Sequence, residues 1–241
     1  MSDAADAIGI EWQGTLRYGD GLALQERAVA DRVAGRTPDR VLLLEHPAVV
    51  TLGRSTDPAN LRLSADELRD KGIEVFEVGR GGDVTYHAPG QLVGYPILDL
   101  DAQDRRDVHV HLRRIEAALM EALESFGIPA RRVEGRTRVF VDRARSAVPD
   151  GPDRKIASIG VGVRKWVTFH GFALNVSIDL AGFEAIVPCG LHDVEMTSVA
   201  RELEREGRLD GTEPATLDPA VRARVGAAMS RWLGPAAPPL E

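Results

Sequence analysis

The 241-residue chain has a single cysteine, Cys189, so no disulfide can form within it. It has no run approaching the roughly 20 apolar residues that a membrane-spanning helix needs, so no membrane association is expected. It shows no secretion signal: Met1-Ser2-Asp3-Ala4-Ala5-Asp6-Ala7 carries acid where such a signal carries base, and no apolar core follows. One thiol and no signal together predict a cytoplasmic location. Positive charge is also short, with 30 Lys and Arg against 37 Asp and Glu for a net −7. That balance argues against nucleic-acid binding, which is driven by Lys and Arg against phosphate. What is present, 44% hydrophobic and 28% charged residues, is the profile of a soluble globular protein.

The pattern along the chain mixes strands and helices without regular alternation. Strands are expected over 8–18, 41–44, 48–52 and 73–78, then in the β-rich stretch following the glycines of 79–99. Further strands are expected over 138–141 and 155–177. Helices are expected over 20–34, after the capping box Ser64-Ala65-Asp66-Glu67, from Asp107 to a stop at Gly127 and Pro129, and from an Asp218-Pro219 start to Leu233. The β-rich centre predicts an α+β fold, a mixed sheet flanked by helices. No linker-like composition divides the chain, so one domain is expected over 1–234, with a disordered proline-rich tail at 235–241. Residues 142–153 mix charge, two prolines and a glycine and read as a flexible surface insert.

Cys189 lies between Pro188 and Gly190, a bend that holds a thiol apart from its neighbours. That posture suits a nucleophile, although a lone cysteine is more often a small buried hydrophobe. Gly79-Arg80-Gly81-Gly82-Asp83 runs into Val84-Thr85-Tyr86-His87, with Gln91 close behind. Glycines let backbone approach a ligand, and this one leads into a strand rather than a helix, so it is not a dinucleotide fingerprint. Strict alternation puts Lys155, Ala157 and Ile159 on one strand face and Ile156 and Ser158 on the other. A strand-edge lysine in solvent is the plain alternative to one in a cleft. Val84-Thr85-Tyr86-His87 is echoed by Val167-Thr168-Phe169-His170, which predicts two Thr/His pairs on one sheet face. Arg105-Arg106, Arg113-Arg114, Arg131-Arg132 and Arg136 with Arg138 read either as a solvated face or as a docking patch for an acidic protein.

The run from Arg80 to His87, continued by Pro89-Gly90-Gln91-Leu92-Val93-Gly94-Tyr95-Pro96, resembles the signature of the lipoyl(octanoyl) transferases. Glu45-His46-Pro47, Thr51-Leu52-Gly53-Arg54, Lys155-Ile156-Ala157-Ser158-Ile159-Gly160, His170-Gly171-Phe172-Ala173-Leu174-Asn175, Pro188-Cys189-Gly190 and Thr197-Ser198 match in order. The resemblance covers roughly residues 40–200. It implies a fold like the catalytic domains of lipoate and biotin ligases. It implies an enzyme that moves octanoyl from acyl carrier protein to a lysine of lipoyl domains, through a thioester on Cys189 assisted by Lys155. Substrate-holding segments carry over to Arg80, Gly81, Gly82, Asp83, Val84, Thr85, Tyr86 and His87, to Ser158, Ile159 and Gly160, and to Gly171, Phe172 and Ala173. The implied partners are acyl carrier protein and the lipoyl domains of 2-oxoacid dehydrogenases and the glycine cleavage H protein. No metal or bound cofactor is expected, since the donor rides on the carrier's phosphopantetheine.

The chain departs from that pattern at Ala88, where glycine is usual, at Phe140, near a common tryptophan, and in a longer 142–153. Ala88 must avoid a positive φ or carry strain. Arg54, Arg80, Arg136 and Arg138 are candidates for the site mouth, and His87 competes with Lys155 for acid–base work or serves the oxyanion region. Backbone N–H groups near Gly82 or Gly190 are candidate oxyanion donors. Rival readings are an ATP-using ligase, a cysteine hydrolase pairing Cys189 with His87 or His170, and a non-catalytic acyl-binding protein.

Overall fold

The computed structural model describes residues 8–102, 104–133, 136–187, 194–209 and 211–240. The strands are β1 Gly9–Thr15, β2 Arg40–Glu45, β3 Val49–Leu52, β4 Glu74–Glu77, β5 Thr85–His87, β6 Gln91–Ile97, β7 Ala130–Val133, β8 Arg136–Val141, β9 Asp153–Arg164, β10 Val167–Asn175 and β11 Val194–Met196. The helices are α1 Tyr18–Val33, α2 Ala65–Asp70, α3 Val108–Glu124, α4 Val199–Arg205 and α5 Asp218–Leu233. The large sheet runs β1-β2-β6-β10-β9-β8-β7, with β11 beside the start of β9, and a small sheet runs β4-β3-β5. The large sheet is mixed: β1 pairs parallel with β2, β11 parallel with β9, and the other pairs are antiparallel. No described helix is long and apolar enough to cross a membrane.

Alternation along the strands splits the core into two layers. Val41, Leu43, Phe172 and Leu174 pack with Ile115 and Leu119 of α3 and with Val225 and Met229 of α5. The intervening Leu42, Leu44, Val93, Tyr95 and Ala173 pack with Ala28 and Val29 of α1. A third cluster joins the small sheet to α2, through Val50, Val84 and Tyr86 against Leu68, Phe183 and Ile186.

Local chemistry explains most ends. Ser64 and Glu67 form the expected reciprocal capping box on α2, and the Asp107 carboxylate accepts from His109 N and Val110 N at the start of α3. Asp218 does not cap α5; it is the first helical residue, and its carboxylate accepts from Ser177 Oγ at 2.8 Å. The strand expected over 8–18 stops at Thr15, and α1 begins at Tyr18. The 155–177 stretch is a hairpin turned by Lys165 and Trp166, both left-handed with φ of 49° and 63°. That is the twist a two-residue hairpin loop requires, reached here without glycine.

Several expectations are corrected. The tail is not free: Arg105 donates to Gly234 O at 3.0 Å and Pro235 O at 2.9 Å, and Arg114 to Trp232 O and Pro238 O, both at 3.2 Å. Most of these arginines are engaged by groups of the chain itself rather than standing free. Two guanidiniums cap the chain end, while Arg106 pairs with Asp101, Arg113 with Glu116 and Arg131 with Asp153. The 142–152 segment is tied down by the fully buried Arg154, which donates to Val148 O at 2.9 Å and Ser146 Oγ at 3.1 Å and pairs with Glu202 at 3.1 Å.

A further correction concerns Lys155. Across β8, Val139 faces Ala157 but Phe140 faces Lys155, so β9 carries one extra residue in that interval. Neighbouring β8 residues point to opposite faces, so Lys155 and Ala157 cannot share one. The bulge moves Lys155 away from the layer of Ala157 and Ile159, where strict alternation places it.

Candidate active site

The centre of the large sheet, α1 and the Gly79–Asp83 loop enclose a cleft. Its cavity volume is about 70 Å³. Ser158, Ile159 and Gly160 of β9 and Gly171, Phe172 and Ala173 of β10 line one wall. Arg80, Gly81, Gly82, Asp83, Thr85 and His87 line another, and Tyr18, Tyr95 and His170 reach in from α1, β6 and β10. Three segments far apart in sequence thus meet around one space.

Glycines permit that meeting. A Cβ on Gly160 would stand 2.9 Å from Gly81 O, and one on Gly53 would stand 2.3 Å from Gly82 O. The Arg80–Asp83 loop is therefore clamped between backbones on both sides. Arg80 braces it from within: its guanidinium donates to Asp83 O at 2.7 Å, to Thr51 O at 3.0 Å and to Thr51 Oγ1 at 2.8 Å. Only 9% of the residue is exposed, so Arg80 shapes the loop rather than standing out at the mouth. The Asp83 carboxylate accepts from Val84 N at 2.7 Å and Asn60 Nδ2 at 2.5 Å, joining the loop to the next turn.

Two residues of the glycine-rich segment face elsewhere. Val84 and Tyr86 alternate away from the cleft into the small-sheet core, where Tyr86 meets Phe183 edge-on at 5.4 Å. The echoed pairs divide likewise. His170 lines the cleft through a left-handed backbone (φ 55°), but Thr168 is buried, donating to Pro96 O at 2.7 Å and accepting from Leu98 N at 3.0 Å. Ala88 has no positive φ and packs in the small-sheet core, so the departure there carries no strain. Phe140 is fully buried with the Arg131 guanidinium over its ring at 5.9 Å.

The histidines are held neutral. Burial, with repulsion from His46 and Arg80, lowers His87 to about 3, and burial with Arg80 and Arg54 lowers His170 to about 4. His46 is also lowered by burial; its Nδ1 faces Leu16 O at 2.7 Å, so its Nε2 accepts from the Tyr95 hydroxyl at 2.8 Å. Tyr18 is pushed up to about 12 by burial, so it stays a phenol.

Lys155 is 1% exposed and does not line the cleft. Its carbonyl accepts from Thr197 N at 3.0 Å, beside the β11 pairing of Met196. Cys189, with Pro188 and Gly190, lies outside the described residues; so does the side chain of Arg136. Arg138 lines the cleft, while Arg54 lines a separate groove beside it, with Phe169 and His170. Tyr18, Thr137, Asn175 and Glu202 were not singled out from sequence. Asn175 stands within a matched motif, whereas Tyr18 follows no motif and is placed only by how α1 crosses the sheet. Among the described residues no group of three or more His, Cys, Asp or Glu is arranged to hold a metal ion.

The architecture recurs in known structures. A lipoate protein ligase fold from Thermoplasma acidophilum, described as putative, matches with a TM-score of 0.64 at 16% identity, covering 94% of this chain and 85% of that one. A biotin protein ligase from Leishmania major matches at 0.51 and 12% identity, covering 93% and 76%. These define the class: a ligase-type α+β catalytic fold. The model of the lipoyl protein ligase A/B catalytic domain matches residues 17–218. An octanoyltransferase of Geobacter sulfurreducens is 48% identical over 190 residues, covering 79% of this chain and 73% of its own. Another, of Solibacter usitatus, is 49% identical over 178 residues, covering 74% and 76%. The chain belongs to the lipoyl protein ligase A/B catalytic-domain family and, within it, to the octanoyltransferases, which are acyltransferases.

Proposed function

We propose that this octanoyltransferase takes its acyl group from octanoyl-acyl carrier protein, holds it as a thioester on Cys189, and passes it to a lysine of a lipoyl domain. The observation that carries the reading is the cleft itself. In a chain of this family, the Arg80–His87, Ser158–Gly160 and Gly171–Ala173 segments converge on one partly apolar space. The Cys189 sulfur attacks the thioester carbonyl, the bond to the carrier sulfur breaks, and the carrier leaves as a thiol. The lysine amine then attacks the acyl-enzyme, the bond to Cys189 breaks, and the amine's proton returns to the thiolate through a base. Splitting the transfer in two replaces one hard step with two easier ones.

No ATP is required, because a thioester is already activated. An ordinary thiol, with a pKa of about 8.5, is only a few per cent thiolate at neutral pH. The Lys155 ammonium favours thiolate and serves as acid to the leaving thiol or base to the entering amine. Lipoyl domains of 2-oxoacid dehydrogenases and of the glycine cleavage H protein are the acceptors. Arg54 and Arg138 are the charged groups offered to these partners, in the cytoplasm.

Intact-mass measurement tests the proposal. Incubation with octanoyl-acyl carrier protein should add one octanoyl group to the wild type, none to Cys189→Ser, and one only slowly to Lys155→Ala. An adduct on Cys189→Ser, or ATP-dependent transfer by it, would overturn the thioester route.

A further inference from the structure

A chain of buried side-chain amides connects the cleft to the start of α4, and its polarity is fixed from one end. Thr197 O can only accept, so the Asn175 group at 2.8 Å from it is Nδ2. That turns Asn175 Oδ1 toward Gln91, where only Gln91 Nε2, at 2.8 Å, can donate to it. Tyr86 O, another pure acceptor, lies 3.2 Å from the same Nε2 and requires the same orientation. Gln91 Oε1 is then left facing His87 Nδ1 at 2.6 Å, and that contact needs a proton on Nδ1. Gln91 and Asn175 are 2% and 1% exposed, so water does not compete for these bonds.

We propose that Gln91 and Asn175 are positioning residues that transmit the polarity of the Thr197 carbonyl to His87. They fix its ring as the Nδ1–H tautomer, so that a bare Nε2 lone pair is presented to substrate. Nothing else among the described residues bonds the ring, and His87 lines the cleft. A ring in this state accepts a hydrogen bond and cannot donate one from Nε2. It therefore has no part in an oxyanion hole, and it suits a substrate group that brings a hydrogen, such as the entering lysine amine. The groups around it hold it there: Tyr18 of α1 stacks at 6.1 Å, His46 stands at 5.9 Å, and Arg80 and His170 disfavour a second proton. The other end of the chain is equally fixed. Thr197 Oγ1 donates to Glu202 Oε1 at 2.6 Å, and Thr197 N donates to the Lys155 carbonyl at 3.0 Å. The cleft histidine and the strand that carries Lys155 thus belong to one hydrogen-bonded unit.

Ring ¹⁵N spectra of His87 test the assignment without substrate, so this arm is independent of the acyl-transfer reading on which the kinetic arm rests. The wild type should show a neutral Nδ1–H ring throughout pH 5.5–8. An Nε2–H ring, or a titration in that range, would overturn the proposal. Gln91→Glu puts a carboxylate against Nδ1 and should raise the ring titration by at least 2 pH units. Its kcat/KM profile should gain an inflection at the same pH, with activity falling at least tenfold on the acid side. A profile parallel to that of the wild type would sink the substrate-facing role of Nε2. Should Gln91→Glu fail to fold, the wild-type spectra decide the tautomer. His87→Asn, which retains a donor toward Gln91 but has no Nε2, should then lose at least tenfold in kcat/KM; unchanged activity would overturn the role.

Discussion

Gly160 lies across from Gly171 in the β9–β10 pair, and each fills a place where a side chain would meet backbone. A Cβ on Gly171 would stand 2.3 Å from Gly94 O, and one on Gly160 would stand 2.9 Å from Gly81 O. Backbone has little room to yield, and forced overpacking costs about 1–3 kcal/mol. Gly160→Ala should lose about that much stability in urea titration. It should also lower kcat/KM at least tenfold, because the displaced element is the Arg80–Asp83 loop. Unchanged kinetics would show that the loop position does not matter to transfer. Both glycines stand in segments that carry the family resemblance, but what each must clear is not legible there. The contacts lie in strands and loops up to about 80 residues away, and no local pattern encodes them.

Among the elements, β9 does the most to build the site. Its hairpin to β10, its pairing with β8 and its short parallel contact with β11 meet along twelve residues. Reading β9 as a strand was straightforward, from its alternating and β-branched residues. The bulge that re-aims Lys155 was not, since it arises from register against β8 rather than from any residue in β9. The buried pair at its start, Arg154 with Glu202, ties β9 to α4. Arg154→Met leaves the Glu202 carboxylate buried without its main partner and should cost about 3–5 kcal/mol by urea denaturation. Adding Glu202→Leu should recover part of that loss; a double variant as unstable as the single one would mean that packing around Arg154, not charge, matters. Arg105, just before α3, and Arg114, on it, hold the chain end, so deletion of 235–241 should lower Tm by a few degrees and leave kcat/KM unchanged.

For the molecule as a whole, buried histidines set the response to acid. His87 is lowered to about 3, and His111 and His170 to about 4, against an ordinary value near 6.5, chiefly by burial in each case. The folded state resists a proton that the unfolded chain accepts below pH 6.5. Stability is therefore full above that value and is lost as pH falls through 6.5 toward 4. Each histidine contributes a slope approaching about 1.4 kcal/mol per pH unit. Urea titrations from pH 7 to 4.5 should show a steep fall, made shallower by His111→Gln. A flat profile would mean that these rings are hydrated or already paired.

The sequence by itself determined the family, the α+β class and the segments that line the cleft, because chemistry at close spacing is written in consecutive residues. It also marked most of the helix and strand cores, through apolar period and capping. Only the tertiary structure decided which side of a strand each residue faces once a bulge intervenes, that Arg105 and Arg114 hold the chain's own end, and that His87 is wired through Gln91 and Asn175 to Thr197. Those outcomes depend on which backbone group stands opposite which side chain across strands distant in sequence, and that is settled by register and packing rather than by local propensity.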